Sequence, residues 1–347
     1  MSHPTSYAMP RLGVIILNYN TRDLLRRCLQ SVYASAACTA ERLIVDVLVV
    51  DSASTDDSAA MVKREFPDTH LIASPTNLGY TGGNNLGLQA FGFAVSERQL
   101  PIPELPAPDY ILLLNADTEV NEDALWQMAL CLVTTPGAGA CGAHLHYGNG
   151  TFQHGAFKFP SLAQLALDFF PLTGVPGIHR LHNSGMNGRY PQPLWRGTQP
   201  FPVDFVLGAA LMVRAAVIRQ LGGLDDGYFM YCEELDWAVR MRLAGWQVYA
   251  VPLARVTHHE GQSSKQVRWP AFVRLWRSRL RFYRKYQGLH PIGYLTAVRL
   301  LVALGIRWRM WQADRRFAKG AVDGTAWQEE RAAYRAVLRA LSQRTNP

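Results

Sequence analysis

Apolar residues return along this chain in two alternating rhythms. Leu12 to Leu17 (LGVIIL) is a short unbroken run, and beyond Thr21, a capping residue, Leu24, Leu25, Cys28, Leu29 and Val32 recur at helical spacing. The strand-then-helix pattern repeats at Val45 to Val50, which ends on Asp51 and leads to Met61, Val62 and Phe66. A third run, Leu71 to Ala73, enters the glycine-rich stretch SPTNLGYTGGNNLGLQAF. A fourth, Tyr110 to Leu114, is followed by Asn121 as a cap and a stripe of Leu125, Met128, Ala129, Leu132 and Val133. Farther on, Val206 to Val213 reads as a strand and Gly222-Gly223 as a turn. A helix carrying Glu233, Glu234 and Asp236 then runs to a glycine stop at Gly245, before a strand at Trp246 to Val251. Strands alternating with helices predict a mostly parallel, doubly wound α/β sheet with flanking helices.

Composition narrows the class without giving the function. The 347 residues are 48% hydrophobic and 18% charged, a globular balance that excludes a disordered or fibrous chain. Their number allows one large domain with an appendage, or two domains. No apolar run reaches the ~18 residues of a spanning helix, and Met1 to Pro10 lacks the layout of a signal peptide, so a cytoplasmic protein is expected. Five cysteines with no Cys-x-x-Cys pair predict free, mostly packed thiols. The net charge of +8 is unevenly placed: between Lys265 and Lys319, 14 Lys or Arg stand against Asp314 alone, a local +13, which leaves 8 − 13 = −5 for the rest.

In doubly wound sheets, ligands bind beyond the carboxyl ends of the strands. Those ends are polar here: Asn18, Tyr19 and Asn20 after the first strand, Asp51 after the second, Asn115 and Asp117 after the fourth. A carboxylate beside an Asn at such a rim suits Mg²⁺ or Mn²⁺, which take one or two carboxylates plus phosphate oxygens and water. Capping of the next helix by Asp117 with Thr118 explains the same residues equally well. The segment GAGACG, Gly137 to Gly142, has the spacing of a dinucleotide-binding loop but precedes an apolar run instead of following one, and it reads as a plain turn. The first strand-to-helix turn has no glycine, which argues against a nicotinamide enzyme.

Taken in order, VIILNYNTRDLLRRCLQSV, VLVVDSASTDDS, NLGYTGGNNLGL, LLLNADTEV, YCEELDWAVRMRLAGW and HHEGQSS resemble the family 2 glycosyltransferases of the GT-A fold, over Arg11 to Ser264. The resemblance implies inverting transfer from a nucleotide-sugar donor, dTDP- or UDP-linked, with Mg²⁺ or Mn²⁺ at the diphosphate. It implies that Tyr19 faces the nucleotide base, that Asp51 hydrogen-bonds it and that Asn84 lies near the donor, with Asn20 and Asn115 on the same rim. Asp117 occupies the place of the Asp-x-Asp metal motif, and His258 returns to the metal. The acidic helix is where the family carries its catalytic base, which assigns Glu234, with Glu233 and Asp236 beside it. Two positions depart from the pattern: Glu234 stands where an Asp is usual, and the metal motif lacks its first Asp. The Asn-x-Asp form is similar to that of rhamnosyltransferases.

The chemistry explains the residue types. An acceptor hydroxyl is a poor nucleophile until a carboxylate takes its proton, a step that contributes ~10²- to 10⁴-fold. On an isolated helix, by contrast, Asp236 and Arg240 at i, i+4 would be an ordinary surface ion pair, and Glu233 and Glu234 would only favour the helix N-terminus. A non-catalytic nucleotide-sugar or polyanion binder on the same fold is the rival class, kept open by the two departures.

From Trp269 the chain sets Phe272, Leu275, Trp276, Leu280 and Tyr283 at helical spacing among arginines, then a second apolar helix interrupted by Arg299. A basic amphipathic helix with Trp and Tyr is attracted to an anionic membrane surface; packing on the catalytic domain is the competing reading, and nucleic acid is not an expected partner. The expected organisation is a transferase domain over 1–264 and a basic aromatic helical region over 265–347. The protein would sit peripherally on the inner face of the cell membrane and serve a glycan or lipid-linked acceptor in cell-surface polysaccharide or glycolipid assembly. Phe157 to Pro202, rich in Pro, Gly and His, reads as a flap or insertion on the acceptor side.

Overall fold

The first apolar run forms β1 (Arg11–Asn18), paired in parallel with β2 (Ile44–Ser52) on one side and β4 (Tyr110–Asn115) on the other. Helices α1 (Arg22–Cys38), α2 (Ser58–Glu65) and α3 (Gly79–Ala90) lie between the early strands, with β3 (His70–Ser74) parallel to β2. The register sets Asn18 opposite Asp51 and Leu17 opposite Asn115, so the polar strand ends line up on one edge. The structure, a computed structural model, describes residues 9–95, 104–171, 181, 183–259 and 268–343.

The remaining strands are β5 (Thr118–Val120), β6 (Ala138–His146), β7 (Ala156–Phe157), β8 (Phe201–Val203), β9 (Phe205–Val206), β10 (Ala210–Arg214) and β11 (Gln247–His258). The large sheet runs β3-β2-β1-β4-β10-β6-β11-β5, with β8 also on β11 and β7-β9 as a separate pair. β10 is antiparallel to β4 and β6, while β11 is parallel to β6, giving a mixed, mostly parallel sheet. Leu12, Val14 and Ile16 of β1 bury against Leu25, Leu29 and Val32 of α1, the period-2 face meeting the helical stripe. Helices α4 (Ala124–Thr134), α6 (Ala215–Leu221) and α7 (Glu233–Leu243) complete this first unit, which comprises residues 1–157, 192–229 and 233–263.

Three local expectations are corrected. Gly137 to Gly142 is not a turn: all but the first residue belong to β6. A Cβ on Gly139 would lie 2.8 Å from Trp246 Cβ, and one on Gly142 2.5 Å from Val206 Cβ, so these glycines admit close neighbours. The cap of α4 is Asp123, not Asn121. Thr21 holds the N-cap position of α1, yet its hydroxyl turns back to donate to Asn18 Oδ1 at 2.7 Å.

The second compact unit draws on residues 158–191, 230–232 and 264–347, so most of the expected flap groups with the C-terminal helices, while Phe157 and residues 192–202 stay with the first unit. It contains α5 (Leu162–Phe169), α8 (Arg268–Lys285), α9 (Tyr294–Ala318) and α10 (Gly324–Ser342). Trp276 of α8 stacks on Phe169 at 4.9 Å, Phe272 and Trp269 meet Tyr334 edge-on, and Leu280 and Tyr283 are buried. Arg279 pairs with Asp168 at 2.9 Å, and Arg316 grips both oxygens of Glu330. The apolar face of the basic amphipathic helix is therefore consumed by helix packing, because its aromatic rings find other rings to bury against. Among the described residues no helix is long and apolar enough to cross a membrane.

Candidate active site

The tips of β1 and β2 form a closed hydrogen-bonded network. Asp51, buried, accepts from Ser54 N–H at 2.9 Å and from Asn18 Nδ2 at 2.8 Å. Asn20, held at φ 53°, donates its N–H to Ser54 Oγ at 2.9 Å and accepts from Thr55 N–H at 2.7 Å. These carboxylate and amide groups fix the shape of the rim, and Tyr19 between Asn18 and Asn20 is 40% exposed.

The end of β4 continues through a tight turn into β5. Thr118 Oγ1 donates to Asn115 O at 2.7 Å and pins that turn. Because Thr118 pairs with His258 in the β5–β11 ladder, the last residues of β11 run beside Asp117, and His259 N–H donates to Asp117 O at 2.8 Å. His258 Nε2 lies 3.4 Å from Asp117 Oδ1. Its Nδ1 is 3.1 Å from Gln153 Oε1; a carbonyl oxygen only accepts, so Nδ1–H donates to it and Nε2 is the ring nitrogen that faces Asp117. A histidine fixed from behind by an acceptor, next to a carboxylate, is the donor set that suits a divalent cation. His259 points away, to Glu119 Oε1 at 2.7 Å, as strand alternation requires. Among the described residues no group of three His, Cys, Asp or Glu gathers at one point, so phosphate oxygens and water would have to complete the shell. Gly261 and Ser263 of the HHEGQSS stretch lie outside the described residues.

The third component ties α3 to the loop that leads into α7. Asn85, buried, donates to Leu224 O and to Asp226 Oδ1, both at 2.8 Å, and accepts from Leu224 N–H. Tyr80 N–H donates to Phe229 O at 2.8 Å, and its hydroxyl donates to Gly208 O at 2.7 Å. Gly79 is required here: its φ is +67°, and a Cβ would run into Phe229 O. Asn84 spends its amide on Tyr80 O at 2.9 Å, while its buried Oδ1 accepts no hydrogen bond from the described residues.

Helix α7 follows Tyr231 and Cys232, two consecutive left-handed residues at φ 72° and 68°. Its three acids differ. Asp236 is fully buried and accepts from Arg240 Nε at 2.9 Å, while the same guanidinium donates to Leu221 O and Gly223 O. That pair is interior, not the surface pair the spacing suggested. Glu233 is buried, and the fields of Glu233 and Glu234 add to burial in holding the Tyr80 phenol neutral. Glu234 is half-buried, and its Oε2 has no hydrogen-bond partner among the described residues. Burial pushes its carboxyl up to about 7 against the pull of the Glu234 and Leu235 backbone N–H groups, the range in which a carboxylate works as a base near neutrality.

Gln153, Asn85 and Tyr80 escaped the sequence reading. Gln153 carries no motif and reaches His258 only across the sheet. The adjacent Asn84 and Asn85 were a visible signal, but which one faced a ligand depended on the tertiary partner.

The glycosyl transferase family 2 profile matches residues 13–188, half of the chain. The chain belongs to that family. This family 2 glycosyltransferase is 27% identical to N-acetylglucosaminyl-diphospho-decaprenol L-rhamnosyltransferase of Mycobacterium tuberculosis over 258 residues, 73% of this chain and 77% of that one. It is 34% identical to rhamnosyltransferase WbbL of Escherichia coli K12 over 98 residues, 26% of this chain and 37% of the other. It shares its fold with mannosyltransferase PcManGT from Pyrobaculum calidifontis, solved with GDP-Man and Mn²⁺, at a TM-score of 0.54 and 15% identity, covering 98% of this chain and 89% of that one. Family membership favours a sugar transferase over the rival binding protein.

Proposed function

We propose that the protein transfers a deoxyhexosyl group of the rhamnose class, with inversion, from a dTDP- or UDP-linked donor to a hydroxyl of a glycan or lipid-linked acceptor. The observation that carries the reading is Glu234, a half-buried carboxyl with an unspent oxygen and a proton affinity raised to about 7. Its Oε2 takes the acceptor proton as the acceptor oxygen bonds to the anomeric carbon. The bond from that carbon to the phosphate oxygen breaks, and the nucleoside diphosphate leaves. Tyr19 stacks on the base, Asp51 with Asn20 shapes the pocket edge, and Asn84 and Asn115 orient the donor. Asp117 and His258 hold a divalent cation, Mg²⁺ or Mn²⁺, which supplies charge neutralisation at the diphosphate. Glu233 and Asp236 hold the site: the first lowers the tendency of Tyr80 to ionise, and the second anchors Arg240.

The lipid-linked acceptor named for the mycobacterial relative supports an acceptor of that kind here, and with it peripheral work at the anionic inner face of the cell membrane. The test is release of nucleoside diphosphate from a panel of dTDP- and UDP-sugars, with Mg²⁺ or Mn²⁺ and with chelator, in the presence of membrane lipid extract. Metal-dependent release from one donor that disappears in Asp117→Ala is expected. Donor binding with no release under any of these conditions would overturn the reading.

A further inference from the structure

Helix α9 is apolar on two opposite faces. Val298, Val302, Gly305, Ile306 and Ala313 are buried against the rest of its unit. On the other side Leu300, Leu304, Trp308 and Trp311 are 59%, 57%, 41% and 45% exposed. At about 100° per residue these four fall in one stripe. The two indoles stack at 4.7 Å, and the Arg315 guanidinium lies 4.7 Å over Trp311. Arg307 and Arg315 are exposed on the same face, and the exposed Leu289 and Ile292 precede the helix. A helix usually turns polar residues to water, so a contiguous exposed stripe of Leu and Trp marks an interaction surface.

Charge decides what covers it. From Arg268 to Lys319 there are 13 Lys or Arg and a single acid, Asp314, which is already committed to Arg331 and the Trp327 indole. A second copy would set like charge against like. An anionic bilayer meets both features, taking the indoles at its interface and the arginines among its headgroups. We infer that the Leu300, Leu304, Trp308 and Trp311 face of α9, with its arginine margin, docks on an anionic lipid surface. This rests on the membrane-peripheral reading above but moves the contact from α8, whose aromatic rings are packed inside, to the outer side of α9.

The experiment is flotation of the full chain with vesicles of phosphatidylglycerol and phosphatidylethanolamine, compared with phosphatidylcholine alone, at low and high salt. The wild type should float with the anionic vesicles only and less at high salt. Trp308→Ser/Trp311→Ser should reduce the bound fraction about tenfold or more, and Arg307→Glu/Arg315→Glu should remove the salt-sensitive part. Unchanged thermal unfolding and unchanged diphosphate release with a water-soluble acceptor establish that the variants are folded. A wild type that stays unbound overturns the inference and the membrane reading together. A wild type that floats while both variants float equally well overturns the assignment of this face alone. Equal binding to phosphatidylcholine overturns the anionic preference, and a wild-type dimer that the Trp variant converts to monomer shows a second copy as the occupant.

Discussion

The two ends of the candidate site differ in what their polar atoms are doing. At the β1–β2 tips, Asn18, Asp51, Asn20 and Ser54 bond to one another, so the rim is rigid before any ligand arrives. Around α3, α7 and β11, Asn84 Oδ1 and Glu234 Oε2 lack partners among the described residues, and His258 Nε2 faces Asp117 at a loose 3.4 Å. Buried polar atoms left unpaired cost stability, so a fold keeps them where a ligand or a proton will complete them. On the proposed roles, the spent groups shape the donor rim, and the groups held in reserve are left to meet the donor, the acceptor proton and the metal.

Mutations at the reserved end should lower rate more than stability. Glu234→Gln is expected to lower turnover ~10²- to 10⁴-fold while leaving donor affinity within a few-fold, read by single-turnover kinetics beside isothermal titration. A comparable energy, spent on stability instead, is expected from Asp236→Ala. It strands the Arg240 guanidinium inside the fold and should cost ~3–5 kcal/mol in urea unfolding. Gln153→Ala releases the back of His258 and should weaken Mn²⁺ binding ~10- to 100-fold with little change in melting temperature. The smallest effect belongs to the spent end: Asp51→Ala should cost ~1–3 kcal/mol of stability by orphaning the Ser54 N–H and the Asn18 amide, and it should weaken donor binding through the loosened rim. If Asp51→Ala instead lowered turnover with donor affinity and stability intact, the contrast between the two ends would fail.

Much of this was legible in the sequence, for reasons that differ by region. The period-2 and helical patterns located β1, α1, β2 and β4, because each element's buried face is set by residues within it. The polar strand ends at Asn18, Asp51 and Asn115 were readable because parallel register puts them on one edge. Gly139 and Gly142 misled, since their role is set by Trp246 and Val206 far along the chain. The amphipathic α8 misled similarly: its pattern announces an apolar face, but only Phe169 and Tyr334 show what that face meets. Nothing local marks Gln153 as the partner of His258, 105 residues away.

The measurement closest to the central claim is the pH dependence of kcat/KM for transfer, for wild type and Glu234→Gln, with the pH dependence of unfolding beside it. With the folded carboxyl raised from its ordinary 4.5 to about 7, transfer should rise through a single limb near pH 7, and the residual rate of Glu234→Gln should lack that limb. The folded state then binds this proton more tightly than the unfolded chain. Its stabilising contribution is therefore full below 4.5 and lost as pH rises through about 7, and Glu234→Gln should gain stability relative to wild type across that window. A limb near the ordinary carboxylate range, or one that persists unchanged in Glu234→Gln, would contradict Glu234 as the base.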